Sequence, residues 1–235
     1  MDTKIVYNYA PETGEYLGTE TAYKSPQEPG IFLMPAHSTE ADPPAASAGQ
    51  VAVYRNGTWK LIDDHREEEW YDTATHERHE IKTLDEVIPE TWTLLVPTDA
   101  EAVWNGRAWE VPFIVLKERK CHEIVTARHF AIAVGTTWRD HVIDTDEDAQ
   151  RAISAQIVKS MAYQQLGRPV PDSPWRLKDG SYIMLTDADF WDLSQTIEAH
   201  VSACYAREAA LIAQVEAAQT AEELAAIVWA ENLEA

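Results

Sequence analysis

The segment His76-Glu77-Arg78-His79-Glu80 comes closer to a metal-binding pattern than any other part of the chain. Two imidazoles three residues apart, with carboxylates beside them, could hold a zinc ion if the segment were helical. The helical zinc-protease pattern is His-Glu-x-x-His, and here the second histidine comes one residue too early. The surrounding residues favour a turn followed by a strand. We therefore expect no metal site and no cofactor.

The sequence also lacks other catalytic patterns. It contains no Gly-x-Ser-x-Gly turn for a nucleophilic serine, and no Gly-x-Gly-x-x-Gly or phosphate-binding loop for a nucleotide. Cys121 and His122 are neighbours in a predicted helix, so they point to different sides. The 40 acidic side chains include no pair marked by a motif. We predict that the chain is not an enzyme, with a hydrolase acting on glycans as the minor alternative.

Aromatic side chains are the strongest candidates for binding a partner. Exposed rings could stack on sugars or fill pockets on another protein. We expect Trp59 and Trp109 to pack internally, because each follows an Asn-Gly turn at an equivalent position. Trp70 and Tyr71 are adjacent, so one of them should face outward from a strand. The aromatic residues at predicted hairpin positions are Tyr54, Trp59, Trp70, Tyr71, Trp104 and Trp109.

The composition excludes several classes of partner. The 40 Asp and Glu against 19 Lys and Arg give a formal net charge of −21, which would repel a phosphate backbone, so we expect no binding to nucleic acid. No run approaches the ~20 apolar residues of a membrane-spanning helix, and the polar start does not resemble a signal peptide. We therefore expect no membrane segment. Cys121 and Cys204 are too few for a disulfide framework and should be buried.

The first half of the chain contains an approximate internal repeat. Residues 52–59 (AVYRNGTW) return fifty residues later as 102–109 (AVWNGRAW). Matching sequence segments in the same order indicate a duplicated module. The insertion at 41–49, which is rich in Pro, Ala and Ser, is typical of a surface loop. Two further pairs of segments match upstream, namely 9–15 with 71–77 and 29–35 with 89–97.

Short β-hairpins are predicted throughout this half. Pro11 to Gly14 provide a turn between strands at 4–9 and 16–22. Asn56-Gly57 provides a tight turn between strands at 51–54 and 58–62, and Asn105-Gly106 does the same in the second copy. Tryptophans should supply much of the packing in such thin modules.

The second half changes to a helical period. The pattern predicts a helix over 113–127, strands at 129–133 and 138–143 around Gly135, and a helix from Thr145, capped with Asp148, to Leu166. The apolar face of that helix is Ala152, Ile153, Ile157 and Met161. A second hairpin joins 175–177 to 181–185 around a turn at 178–180.

A long amphipathic helix and a short one complete the chain. Thr186 or Asp187 caps the first, which runs to about Ala218, and Thr220 with Glu223 caps the second, which ends near Ala230. A helix of about thirty residues either pairs in part with another chain or packs wholly within its own domain, and the sequence leaves both alternatives open. Its apolar positions are Phe190, Leu193, Ile197, Val201, Cys204, Leu211, Ile212 and Val215.

These elements predict an α+β protein made of two small tandem β-hairpin modules followed by a mainly helical domain. That domain has two β-hairpins and the long amphipathic helix. The expected bounds are 1–66 and 67–111 for the β-modules and 112–235 for the helical domain.

The N-terminal half resembles the tail fibre assembly proteins of tailed bacteriophages. The resemblance rests on residues 9–15 (YAPETGE), 29–35 (PGIFLMP) and 53–59 (VYRNGTW) followed by 63–66 (DDHR). Residues 71–73 match the start of a second unit. Residues 113–229 are similar to a domain of unknown function found in phage tail proteins, with landmarks at 137–138, 175–176, 179–180 and 185–189.

The resemblance implies a non-enzymatic protein that binds a trimeric phage tail fibre, encoded beside it, as an assembly chaperone or as a stable virion component. It implies a place in the host cytoplasm during assembly, with retention in the virion tail and contact with other tail proteins as further options. The alternative is a carbohydrate-binding module that contacts host surface glycans. Our partner-contact candidates are Trp70, Tyr71, Trp104, Phe190, Trp191 and Tyr205.

Overall fold

The computed structural model describes residues 3–229. The chain divides into two compact units, Met1–Glu110 and Val111–Ala235. Short antiparallel strands make up the first unit, and helices with two β-hairpins make up the second. This confirms the predicted α+β class. The further division of the first unit at residue 66 stays a prediction.

The first unit begins with a four-stranded antiparallel sheet. Its strands are β1 (Thr3–Tyr9), β2 (Tyr16–Lys24), β3 (Phe32–Leu33) and β4 (Ser38–Thr39), in the order β3-β2-β1-β4. A hairpin follows, formed by β5 (Gln50–Arg55) and β6 (Thr58–Asp63). Asn56 and Gly57 both have positive φ angles at its tip, as the Asn-Gly signal predicts.

The rest of the first unit repeats this arrangement with shorter strands. The strands β7 (Glu69–Asp72), β8 (Arg78–Glu80) and β9 (Trp92–Thr93) form a sheet in the order β8-β7-β9. A hairpin of β10 (Val103–Trp104) and β11 (Trp109–Glu110) follows it. Gly106 has a positive φ at this second tip, and the Asn105 side chain accepts hydrogen bonds from the amides of Arg107 and Ala108.

Strand pairing supports one upstream match between the two copies and corrects the other. Tyr9 pairs with Tyr16 and Tyr71 pairs with Arg78, and each pair encloses six residues, so the match of 9–15 with 71–77 agrees with the two hairpins. Strand β9 pairs with β7 as β4 pairs with β1, whereas β3 pairs with β2. Residues 92–93 therefore correspond to 38–39, and the match of 29–35 with 89–97 is displaced.

The turn itself is equivalent in the two copies. Gly14 and His76 both have positive φ angles, at 79° and 64°. Their amides donate to the carbonyls of Ala10 and Asp72, respectively. His76 thus occupies the turn position that the repeat predicted for it.

The second unit contains four helices and two hairpins among its described residues. The helices are α1 (Phe113–Val134), α2 (Glu147–Gln165), α3 (Asp187–Ala217) and α4 (Ala221–Ala226). The hairpins pair β12 (Thr136–Trp138) with β13 (His141–Ile143) and β14 (Ser173–Arg176) with β15 (Tyr182–Leu185). Thr186 forms a capping box with Asp189, and Thr220 caps α4.

Helix α1 extends through residues 129–133, where a strand was predicted. Ile124, Arg128 and Ile132 are buried at helical spacing, so packing of one face keeps the segment helical. The helix ends where Gly135 adopts a φ of 83°. Lys178 donates from Nζ to the carbonyls of Ala133 and Val134, which satisfies the last turn.

The start and the buried face of α2 also differ from the prediction. Asp146 is the N-cap and accepts a hydrogen bond from the Ala149 amide. Thr145 is fully buried, and its Oγ1 donates to the carbonyl of Ile132 at 2.6 Å. Ala152 and Met161 are exposed, because the buried face instead passes through Ala149, Ile153 and Ser160.

Two apolar clusters cover the inner face of α3. Its N-terminal half packs with α2 and both hairpins, and its C-terminal half packs with α1 and α4. The predicted apolar positions of α3 are buried or half-buried within the unit. Packing within the domain therefore accounts for the length of this helix. The buried residues of α3 are Phe190, Leu193, Ile197, Cys204, Leu211 and Val215.

Candidate functional site

The histidines of the segment 76–80 are used in packing. The His79 ring stacks on Trp92 with centroids 4.0 Å apart, and the His76 ring meets Trp109 edge to face at 4.6 Å. Arg78 to Glu80 form β8, as the turn-and-strand pattern predicted. Within residues 3–229, no group of three or more His, Cys, Asp or Glu side chains is arranged to hold a metal ion.

Two tryptophans play the same structural part in the two copies. The indole Nε1 of Trp59 donates to the Ala41 carbonyl at 2.8 Å, and that of Trp109 donates to the Leu95 carbonyl at 2.7 Å. Each indole also contacts the ring directly opposite it in its hairpin, which belongs to Tyr54 in one copy and Trp104 in the other. We call these arrangements the indole clips. They attach each hairpin to the preceding loop.

The predicted contact residues of the first unit lie in two different sheets. Trp70 and Tyr71 are half-buried on β7, and Trp104 is half-buried on β10. The Trp70 indole donates to Glu68 at 3.1 Å, and Trp104 belongs to an indole clip. A partner would reach only part of each ring.

The contact residues predicted on α3 need one correction. Phe190 is only 2% exposed, inside the cluster around the N-terminal half of α3, so a partner cannot reach it without opening that core. Trp191 is 36% exposed, and its indole contacts Ser160 Oγ at 3.3 Å. Tyr205 is 52% exposed, with the Arg128 guanidinium 4.4 Å from its ring centroid. Trp191 and Tyr205 remain accessible.

The four-stranded sheet presents a surface that the sequence did not predict. Residues directly opposite each other on paired strands share one side of a sheet. Ile5, Tyr23 and Leu33 are more than half exposed on this side, in a chain with a net charge of −21. We call it the uncharged face, because its members carry no formal charge: Thr3, Ile5, Tyr7, Thr19, Thr21, Tyr23, Leu33 and Thr39.

Arginine ion pairs tie the segments of the first unit together. Arg66 bonds to Glu15 and Asp64 through its guanidinium, which lowers the pKa of Asp64 and raises that of Arg66. Arg55 bonds to both oxygens of Asp85, at 2.9 and 2.6 Å, and this lowers the pKa of the Asp85 carboxyl. Two of these pairs join residues at least thirty positions apart.

A buried ion pair joins α1 to α3. Arg128 is 7% exposed and pairs with Glu208, its guanidinium also reaching Nε2 of His129 at 2.9 Å. Cys204 lies on the same stretch of α3, and burial raises the pKa of its thiol, which disfavours a nucleophilic thiolate. Cys204 is buried as predicted, whereas Cys121 is only half-buried.

No helix among residues 3–229 combines the length and apolar content needed to cross a bilayer.

Family comparisons divide the chain in the same two parts. Residues 3–62, which form β1 to β5 and nearly all of β6, match the N-terminal domain of tail fibre assembly proteins. Residues 115–228 match a domain of unknown function, DUF4376. No solved structure matches the chain.

Individual relatives carry the same description. The tail fibre assembly protein of Escherichia phage lambda is 37% identical over 106 residues, which is 44% of this chain and 52% of that protein. The prophage tail fibre assembly protein homologue TfaR of Escherichia coli K12 is 37% identical over 106 residues, 44% of this chain and 53% of TfaR. The homologue TfaE of the same strain is 35% identical over 107 residues, with 44% and 50% coverage.

The chain spans about half the length of these curated relatives. The predicted resemblance is confirmed in both parts of the sequence. Residues 3–62 are thus similar to the N-terminal domain of phage tail fibre assembly proteins, and residues 115–228 match a domain of unknown function.

Proposed function

We propose that this protein binds a phage tail fibre protein and assists its assembly. The observation that carries the proposal is the match of residues 3–62, the segment that builds the four-stranded sheet and the first hairpin, to the tail fibre assembly N-terminal domain. The fibre is then the expected partner of the first unit. The acidic charge of the chain accords with a protein partner and opposes nucleic acid.

The physical role would be to cover surfaces that an unfinished fibre exposes. Chains waiting to form a β-rich trimer present strand edges and apolar patches, which aggregate when left open. A partner that occupies those surfaces favours the productive trimer. A protein that stays bound afterwards would become a virion tail component, and one that leaves would act only in the host cytoplasm.

Binding to host glycans has less structural support. Of the nine tryptophans, all within residues 3–229, Trp191 is the most exposed at 36%, and one ring face of Trp92 is covered by His79. Flat stacking on sugars needs an accessible ring face. Glycan binding is therefore the alternative function that the experiments below can detect.

Co-expression tests the proposal. The fibre gene next to this one would be expressed with and without the full chain, the soluble fraction separated by size, and purified particles probed for the protein. We expect more soluble trimeric fibre when the chain is present, together with co-elution. Presence in particles would identify a virion component, and absence a transient chaperone.

A fibre that is equally soluble alone and never co-elutes with the chain would contradict the proposal. Tryptophan fluorescence with lipopolysaccharide or oligosaccharide provides the parallel measurement. Saturable quenching in that case would support glycan binding instead. Trp191→Ala is the matched variant, because it removes the most exposed indole.

A further inference from the structure

Strand β2 has an open outer edge. It pairs with β1 from Tyr16 to Tyr23 on one side. On the other side β3 covers only Tyr23 and Lys24. After β3 the chain leaves the β2 edge and crosses to the other side of the sheet, where β4 pairs with β1. Pro35, which has no N–H to donate, follows two residues after β3. At the start of β2, Glu15 forms an isolated antiparallel bridge with Val53 of β5. Among residues 3–229, no strand pairs with β2 between this point and β3, and Thr19 to Thr21 are exposed, so the position beside them is vacant.

The hydrogen-bond pattern shows which backbone groups point into this vacant position. In an antiparallel strand the groups of alternate residues point to opposite neighbours. The amide of Ser25 donates to Ile31 on the β3 side at 2.7 Å. Counting back in steps of two, Thr21 and Thr19 direct their N–H and C=O groups to the same side. Both residues are exposed.

The side chains around this edge define the chemistry of a matching segment. Thr19 and Thr21 belong to the uncharged face, together with the exposed side chains of Ile5 and Tyr23. Glu20 lies between the two threonines, and its side chain is on the opposite side of the sheet. Its carboxylate accepts a hydrogen bond from the side-chain amide of Asn8 at 2.9 Å. A basic residue across from Glu20 would form a favourable cross-strand pair.

We infer that the β2 edge at Thr19–Thr21 binds an extended segment of the tail fibre protein, which adds a strand to the sheet. The inference rests on the proposed function and names the contact that would carry it. The segment has apolar or hydroxyl side chains toward the uncharged face and a lysine or arginine opposite Glu20. Backbone hydrogen bonds hold it, and the side chains select it.

Charge argues against a second copy of this chain as the occupant. Each copy carries a net charge of −21, so two copies repel each other. Pairing of two β2 edges with Thr19 opposite Thr21 would also place Glu20 directly opposite Glu20, and like charges in that position destabilise a strand pair. A less acidic partner avoids both costs.

Amide hydrogen exchange tests the edge residue by residue. In the free full-length protein, we expect the amides of Thr19 and Thr21 to exchange faster than those of Glu20 and Ala22, which face β1. In the complex with the fibre protein, Thr19 and Thr21 should slow by about tenfold or more, as expected for one new backbone hydrogen bond each. The Glu20 and Ala22 amides serve as internal controls.

Two variants test the same edge by affinity. Thr21→Pro removes an outward N–H and should weaken fibre binding about tenfold, with Thr98→Pro at an exposed position outside the four-stranded sheet as its matched control. Thr21→Lys keeps the amide and places a charge on the uncharged face, so it should also weaken binding, with exposed Thr98→Lys as its control. Thermal unfolding would establish that each variant is folded.

The possible results separate the inference from the proposed function. Slowed exchange at Thr19 and Thr21, with weaker binding by the variants and not by the controls, supports the edge. A stable fibre complex in which those amides stay fast and Thr21→Lys binds normally overturns the edge and leaves the proposed function intact. Failure to form any fibre complex overturns both. If Thr21→Pro does not fold, Thr21→Lys and the exchange rates decide.

Discussion

At the scale of single residues, backbone geometry at Gly135 sets the end of α1. Its φ is 83°, and a Cβ placed there would lie 2.1 Å from the carbonyl oxygen of Ile143. Lys178 and Thr145 bond to carbonyls of the same last turn. Glycine at this position therefore lets α1 pack closely against the end of the β12–β13 hairpin.

Gly135→Ala should lower the free energy of unfolding by about 2–3 kcal/mol, because the added methyl group cannot fit beside the Ile143 carbonyl. The matched control is Gly167→Ala, which has a similar positive φ of 63° but no atom within 4 Å of the added Cβ. That change should cost only about 1 kcal/mol of backbone strain. Urea unfolding measures both, and equal losses would show that the contact with Ile143 does not matter.

The carboxyl of Asp189 should contribute to acid sensitivity. Hydrogen bonds from the Thr186 hydroxyl and amide, and then from Arg139, lower its pKa from 3.8 to about 2. A depressed carboxyl pKa means that this contribution to stability is complete above about pH 4 and is lost as the pH falls toward about 2.

Asp189→Asn should therefore reduce the loss of melting temperature between pH 5 and pH 2, while lowering the melting temperature at pH 6 to 7. Thermal melts followed by circular dichroism across this pH range measure the effect. Asp148→Asn in the first turn of α2 is the control, since Asp148 is an exposed acidic residue at an equivalent helix end. An unchanged pH profile for Asp189→Asn would contradict the prediction.

At the scale of elements, the indole clips give the two copies a common means of attaching a hairpin to a loop. Trp59→Phe and Trp109→Phe keep a ring but remove the hydrogen bond to the Ala41 or Leu95 carbonyl. We expect each change to cost about 1 kcal/mol of stability. Chemical denaturation measures both. A loss at only one position would show that the two clips are not equivalent.

The Arg128–Glu208 pair should fix how α1 meets α3. Arg128→Met leaves the carboxylate of Glu208 unpaired, with its side chain 18% exposed, and should cost about 3 kcal/mol or more. Arg128→Met with Glu208→Leu removes both charges and should recover much of that loss. Urea unfolding of the single and double variants tests this. A double variant as unstable as Arg128→Met would contradict it.

At the scale of the whole molecule, the chain consists of two units with separate cores. If each core is sufficient, fragments 1–110 and 111–235 should fold independently. Their far-ultraviolet circular dichroism spectra should then add up to that of the full chain, and each fragment should unfold cooperatively. Full-length protein is the reference. A fragment that remains unfolded while the full chain is folded would show that the units depend on each other.

Several elements could be predicted because local signals agreed with the final packing. The strands β1, β2, β5 and β6 were predicted from turn chemistry, and α3 from its helical period and the cap at Thr186. The strand predicted at 129–133 failed because burial of Arg128 and Ile132 against other elements extends α1. Local propensity does not contain that information. Phe190 failed as a contact residue for the same reason.

The sequence by itself determined the α+β class, the duplicated hairpin unit, the helix caps and the family resemblance, since each depends on residue types at short spacing. The tertiary structure alone decided which segment pairs with the first strand of each copy, the Arg128–Glu208 pair and the open β2 edge. Each of these depends on which distant segments meet. Strand register and burial follow from the packing of the whole unit, so spacing along the chain does not reveal them.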